Sequence, residues 1–361
     1  MTCYSPIPAC FSKSQYAKTG KKNIHLVLHE NYDEHNRVIK DEKWKLNESS
    51  FPHALYEYIF LPCRKCVGCR SDNAKMWSLR AYNEMKLHKK NCFITLTYDN
   101  ASDLVVKDPL CIASLRYKHF QNFMKRLRKK TGKKLGYLVC GEYGLKDGRA
   151  HWHAILFDFD FDDKELIYVK KGYKHYYSAL LQECWSTYDK KTDSYIPIGF
   201  IDLADCDYDC CSYVSQYVLK KLPVNQNGIS VGTYIDDVTG EVKEIELTDV
   251  CPPMVRSSKN PAIGYNWYKK YGENACEKGF IPIVTNEGKK VRKVRTPAYY
   301  YSKFEVDNPQ KSEILRNVKE EKMRKYYKEN PIDLDKLKSW SESHLYRIKK
   351  RMKEVLTSFK K

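Results

Sequence analysis

The chain has 361 residues, with 64 Lys plus Arg against 45 Asp plus Glu, a formal net charge of +19. Hydrophobic residues at 42% and aromatics at 13% provide for a packed core, which excludes a chain disordered throughout. No run reaches the roughly 18 to 20 apolar residues that cross a bilayer, and Met1-Thr2-Cys3-Tyr4 does not open a secretory signal. The expectation is a soluble, intracellular, basic protein of two or three domains, either an ordinary basic enzyme or one that meets a polyanion.

Residues 1–62 read as polar and irregular, punctuated by Pro6, Pro8, Gly20 and Pro62. Cys63-Arg64-Lys65-Cys66-Val67-Gly68-Cys69 follows, and Ser71-Asp72-Asn73 reads as the start of a helix running to about Lys90. Cys92 to Tyr98 predicts a buried strand ended by Asp99-Asn100. Over 114–130 the spacing predicts a basic amphipathic helix. Leu115, Phe120, Phe123, Met124 and Leu127 face in, Lys125, Arg126, Arg128, Lys129 and Lys130 face out, and Gly132 lies just past the end. Strands over 135–141 and 150–159 flank a glycine-bearing loop and read as a hairpin. A helix over 176–187, a short strand over 199–204 and a helix over 209–222 complete a β-α-β-β-α-β order, with an insertion after the third strand. That order predicts an α+β fold of ferredoxin-like type with an antiparallel central sheet. Beyond Pro223 the pattern weakens to turns and short strands; from Pro309 it is polar and helix-prone, with 16 Lys plus Arg against 8 Asp plus Glu. The expected organisation is 1–90 with the cysteine run and a basic helix, 91–222 as the α+β domain, 223–308 as a further part, and 309–361 as a basic helical tail.

His151-Trp152-His153 carries the sharpest chemistry. On a strand, alternate residues share a face, so both imidazoles project together while Trp152 turns to the core. Such a pair begins a divalent-metal site or merely packs, and Glu142, at the edge of the preceding loop, is placed to complete a three-ligand set. In the helix over 209–222, Tyr213 and Tyr217 share a face, with Lys220 and Lys221 one turn beyond. They are either a nucleophile pair with cationic helpers or two core contacts and a solvated end. Cys63, Cys66 and Cys69 form either a structural zinc site or unligated thiols, and a closed site needs a fourth ligand from Cys3, Cys10 or a distant cysteine. Cys206, Cys210 and Cys211 read as packing residues. Lys125, Arg126, Arg128 and Lys129, the basic residues at 289–295 and Tyr299 to Tyr301 are either a DNA-tracking surface or solvated faces. No Gly-x4-Gly-Lys-Ser/Thr sequence occurs in these residues, so a fused P-loop helicase is not expected.

These residues carry a resemblance. The chain resembles the replication initiators of small single-stranded DNA microviruses, most like the gokushovirus branch, and more widely the HUH endonucleases of rolling-circle replication. It rests on Phe93-Ile94-Thr95-Leu96-Thr97-Tyr98, on Gly141-Glu142-Tyr143-Gly144 leading to His151-Trp152-His153, and on Tyr213 through Lys221. The cysteine run and Met254-Val255-Arg256-Ser257 continuing to Pro261-Ala262-Ile263-Gly264 are also similar to that family, so the likeness spans about 60–272. The resemblance implies that 91–222 is an HUH nicking domain in which His151, His153 and Glu142 bind Mg²⁺ or Mn²⁺. It implies attack by Tyr217 or Tyr213 on origin DNA, with Lys220 and Lys221 helping, a 5′-phosphotyrosine link, and a free 3′-OH for host polymerase. The single-tyrosine Tyr-x-x-Lys spacing favours Tyr217 for the first cut. Host helicase and the cytoplasm of a bacterial host follow as expected partner and location. The competing readings are an HUH transposase or relaxase, and a non-catalytic zinc-containing nucleic-acid-binding protein.

Overall fold

In the computed structural model the described residues are 3–16, 22–26, 56–144, 148–170, 172–216, 231–235, 242–246, 251–284, 291–330 and 333–358. They fall into two compact units, residues 1–72 with 329–361, and residues 73–328.

The first unit corrects the expectation of an irregular start. β1 (Ile7–Tyr16), β2 (Lys22–Leu26) and β3 (Tyr56–Leu61) form an antiparallel sheet in the order β2-β1-β3. Ile7, Ala9 and Phe11 alternate as a strand requires, and Pro8, a strand breaker in the middle of a sheet, lies beyond the last β1–β2 pair, Ala9↔Leu26. α1 (Val67–Met85) begins inside the cysteine run rather than at Ser71, with the Arg70 amide donating to the Cys66 carbonyl at 3.0 Å.

The second unit follows in chain order as β4 (Asn91–Leu96), the short α2 (Asp103–Lys107) and α3 (Leu110–Ala113), α4 (Tyr117–Thr131), β5 (Gly136–Tyr143) and β6 (Ala150–Phe157). Then come β7 (Glu165–Lys170), β8 (Tyr173–Tyr177), α5 (Ala179–Cys184), β9 (Ser186–Asp189), β10 (Ser194–Pro197), β11 (Ile201–Asp205) and α6 (Tyr208–Gln216). β12 (Val231–Ile235) pairs with β13 (Val242–Glu246), and β14 (Met254–Ser257) joins the main sheet. The segment 223–308, expected to hold only turns and short strands, also carries α7 (Tyr265–Lys278) and α8 (Ala298–Asp307), beside the hairpin of β15 (Phe280–Val284) and β16 (Val291–Arg295). The helix-prone tail is α9 (Pro309–Glu329) and, in the first unit, α10 (Leu334–Ser358).

The main sheet has seven strands in the order β14-β5-β6-β4-β11-β8-β7, antiparallel at every pair. Its middle is made of two split β-α-β units: β4 and β5 flank β6, while β6 and β11 flank β4. Alternation along the strands gives the sheet two buried faces. On one, Ile94, Leu96, Trp152, Ala154 and Leu156 pack against Phe120, Phe123, Met124 and Leu127 of α4 and Leu181 of α5. On the other, Leu138, Cys140, Ile155 and Phe157 pack against Leu79 of α1, Cys211 and Val214 of α6, and Tyr268 and Tyr300 of α7 and α8.

Local chemistry accounts for the boundaries. α4 ends as expected at Gly132, left-handed at φ 65°, whose amide donates to the Arg128 carbonyl at 2.9 Å. The helix expected over 176–187 is shorter, because Ser178 caps it: its Oγ accepts from the Leu181 amide at 3.0 Å, so the residues before it stay extended as β8. Gly141 explains part of the Gly-Glu-Tyr-Gly motif. A Cβ there would stand 2.7 Å from the Trp152 ring and 2.8 Å from Leu115, so only glycine leaves room for both side chains against β5.

Candidate active site

β5 and β6 pair so that Glu142 lies directly across from His151, and Cys140 across from His153. Glu142 is thus inside a strand, not at a loop edge as expected, because β5 runs two residues further than its apolar pattern suggested. Residues 142, 151 and 153 share the face that α6 covers, while Trp152 points to the other and is fully buried, its Nε1 donating to the Tyr98 hydroxyl at 3.0 Å.

The three ligand atoms lie within 4.8 Å of one another. Nε2 of His151 and Nε2 of His153 are each 3.0 Å from Glu142 Oε1. The outer ring nitrogens are also engaged: His151 Nδ1 donates to the Arg149 carbonyl at 3.0 Å, and His153 Nδ1 lies 2.9 Å from Thr95 Oγ1. A carbonyl can only accept, so His151 carries its proton on Nδ1 and, when neutral, aims an Nε2 lone pair at a carboxylate oxygen. Two acceptors so close are stable only with a proton or a cation between them. Two imidazoles and a carboxylate, oriented from behind by hydrogen bonds, fit a divalent ion with positions left open for other ligands. Glu142 is 2% exposed, and burial alone would raise its pKa. The hydrogen bonds of His151 and then His153 outweigh that burial and hold the carboxyl well below its usual range.

α6 brings a phenol to this group. Asp207 starts the helix, its Oδ1 accepting from the Cys210 amide at 2.8 Å, and Cys211 and Val214 anchor it in the core. Tyr213 is thereby turned toward the ligands, its hydroxyl 3.3 Å from Glu142 Oε1 and 3.4 Å from His153 Nε2. Phe93 stacks on His153 with centroids 5.6 Å apart and meets Tyr213 edge-on at 6.2 Å, walling the site. Thr95 and Phe93 both sit in the first motif, but strand alternation alone did not reveal them as supports for His153. Tyr217, Lys220 and Lys221 lie outside the described residues.

Other expected residues are elsewhere. Lys125 and Lys129 are exposed on α4, which covers the sheet face opposite the histidines. Arg126 and Arg128 are engaged in the fold, donating at 2.7 Å to the carbonyls of Cys184 and Leu135. Of the tyrosine run read as a DNA-tracking surface or a solvated face, Tyr300 is buried and stacked on Trp267, while the half-buried Tyr301 donates to the Cys276 carbonyl and Arg80 lies over the half-buried Tyr299 ring. Cys211 is buried in the core, as expected of a packing residue. In the first unit, Cys63, Cys66 and Cys69 gather with Cys3, all four sulfurs within 4.8 Å of one another. Among the described residues no helix is long and apolar enough to cross a membrane.

The family of replication-associated proteins of the ORF2 and gene 2 protein type matches residues 91–222. Replication-associated protein VP4 of Bdellovibrio phage phiMH2K is 29% identical over 259 residues, 69% of each chain. Replication-associated protein ORF2 of Spiroplasma virus 4 is 30% identical over 251 residues, 68% of each chain. Replication-associated protein ORF4 of Chlamydia phage 1 is 33% identical over 218 residues, 56% of this chain and 50% of its own. No solved structure matches the chain.

Proposed function

Because the chain belongs to the replication-associated proteins of these phages, we propose that it initiates rolling-circle replication by nicking and rejoining single-stranded DNA at the viral origin. The observation that carries this reading is the Tyr213 hydroxyl against Glu142 and His153, a nucleophile beside a metal-ligand set. The sheet supports it too: β5-β6-β4-β11 with α4 and α5 on one face is the strand order of a ferredoxin-like domain, the fold that the HUH resemblance implies.

His151, His153 and Glu142 would hold Mg²⁺ or Mn²⁺, which when bound would polarise the scissile phosphate and offset the charge that builds on it. The Tyr213 phenol gives its proton to solvent water and its oxygen bonds to phosphorus. The bond from phosphorus to the 3′ oxygen breaks; that oxygen takes a proton and leaves as the 3′-OH that primes host polymerase. The 5′ phosphate stays on the tyrosine. Phe93 and the core around α6 fix the phenol against the ligands, which supplies orientation rather than new chemistry. Tyr217, one turn further on by spacing, is assigned the second transfer that closes the displaced circle, and Lys220 and Lys221 the stabilisation of phenolate and phosphate charge. This exchanges the order that the Tyr-x-x-Lys spacing favoured. Host helicase separates the strands, and the work takes place in the cytoplasm of the bacterial host.

The test is incubation of the full chain with single-stranded origin oligonucleotides and Mn²⁺, followed by a denaturing gel. A covalent adduct in wild type that is absent in Tyr213→Phe supports the reading. An adduct that survives in Tyr213→Phe but vanishes in Tyr217→Phe returns the first cut to Tyr217. No adduct from any wild-type reaction leaves a non-catalytic nucleic-acid-binding protein.

A further inference from the structure

We propose that Cys3, Cys63, Cys66 and Cys69 form a closed tetrathiolate site for a structural zinc ion, which ties the start of β1, the end of β3 and the N-terminus of α1 into one module. The fold brings the four together from two distant stretches. β1 and β3 are antiparallel with Ile7 opposite Leu61, so Cys3, just ahead of β1, and Cys63, just after β3, emerge at the same end of the sheet. Cys66 and Cys69 bracket the first turn of α1, where the helix dipole favours negative charge.

The spacing suits a single ion. Zinc–sulfur bonds of about 2.3 Å in a tetrahedron set sulfurs roughly 3.8 Å apart. Here Cys66 Sγ and Cys3 Sγ are 4.0 Å apart, and all four sulfurs fall within 4.8 Å of one another. A multi-iron cluster interposes inorganic sulfide between its irons and spreads its cysteines wider. The surroundings suit thiolates. The Cys63 amide donates to Cys3 Sγ at 3.2 Å, the Cys66 amide to Cys63 Sγ at 3.2 Å, and the amides of Tyr4 and Cys69 to Cys66 Sγ at 3.3 and 3.4 Å. None of the four is in a disulfide. Arg64 adopts φ 59°, a left-handed conformation that costs a non-glycine residue energy, and this reversal lets Cys63 and Cys66 turn their sulfurs to one point. Four protein thiolates leave no open position for water or phosphate, so the ion is structural.

Metal analysis of the full chain, purified under reducing conditions, tests this without reference to nicking. About one equivalent of zinc is expected in wild type. It is lost in Cys3→Ser and in Cys66→Ser, kept in Cys10→Ser, whose thiol lies in β1 outside the cluster, and kept in a His151→Ala/His153→Ala double variant. Wild type without zinc, wild type carrying iron, or zinc that follows the histidines overturns the proposal. Zinc retained in both serine variants also overturns it. Because the serine variants can lose metal by misfolding, cobalt(II) is also loaded into the wild-type chain. Visible absorption with sulfur-to-cobalt charge transfer is expected, and a spectrum without tetrahedral thiolate bands overturns the assignment.

Discussion

Among the described residues, side chains of metal-ligating type gather in two places, one within a sheet and one beyond the end of another. In the histidine site the donors are two nitrogens and one oxygen, held on adjacent strands of a rigid sheet and fixed by their register. In the cysteine cluster the donors are four sulfurs from the ends of two paired strands and a helix start, set beyond the sheet among local turns and amide hydrogen bonds. A bound ion would keep coordination positions free in the first, which has a phenol at its edge, and would have its shell filled in the second. An incomplete donor set on a rigid support is the arrangement of a reacting centre, and a complete one at the junction of elements is that of a clamp.

The largest effect that separates the two is expected from His153→Ala. Nicking of an origin oligonucleotide falls by about 10²- to 10³-fold, the usual loss when a stabiliser of transition-state charge is removed, while tightly bound zinc is unchanged. A variant that loses both would merge the two centres. Brief dialysis against EDTA should likewise stop nicking reversibly, with Mn²⁺ alone restoring it, and leave the thiolate-bound metal in place. A smaller effect is expected from Thr95→Val, which removes the hydroxyl beside His153 Nδ1 but keeps the strand. Mn²⁺ activation weakens by about 10- to 100-fold and is recovered at raised Mn²⁺, whereas a purely structural role would lower activity at every concentration. Gly141→Ala acts through packing, since the new methyl meets Trp152 and Leu115; a loss of about 1–3 kcal/mol in urea unfolding is expected. The smallest effect belongs to Lys125→Gln with Lys129→Gln. On the helix opposite the histidines, each substitution should change stability by less than about 0.5 kcal/mol. A large fall in single-stranded DNA affinity, measured by fluorescence anisotropy, would place the DNA path on that face instead.

Much of the histidine site was legible because strand alternation is a strict rule. His151 and His153 had to share a face, and Trp152 had to oppose them. α4 was legible for the same reason, with a regular apolar stripe and a glycine stop. The misses came where a local signal competed with pattern. Pro8 hid β1, because a proline reads as a breaker unless the pairing of neighbouring strands is known. Ser178 was read as helix interior although it is the cap. Tyr299, Tyr300 and Tyr301 looked like a stacking surface, since a tyrosine's sequence context does not say whether its ring meets DNA or Trp267. Cys3 was one of several choices for the fourth sulfur, and only the β1–β3 pairing singles it out.

The direct opposition of Glu142 and His151 makes the donor set depend on the register of one strand pair. A slip of one residue between β5 and β6 turns every side chain of the slipped strand to the other face. Slipped on β6, the chain would carry an indole where the imidazoles belong and have nothing to hold an ion. On the proposed function, mispaired or half-folded copies would therefore be inert, because only the finished sheet assembles the donor set. An ion bound there would in turn favour that pairing over its rivals, since whatever binds only the folded chain stabilises it. Proofreading of the fold and assembly of the donor set are one event.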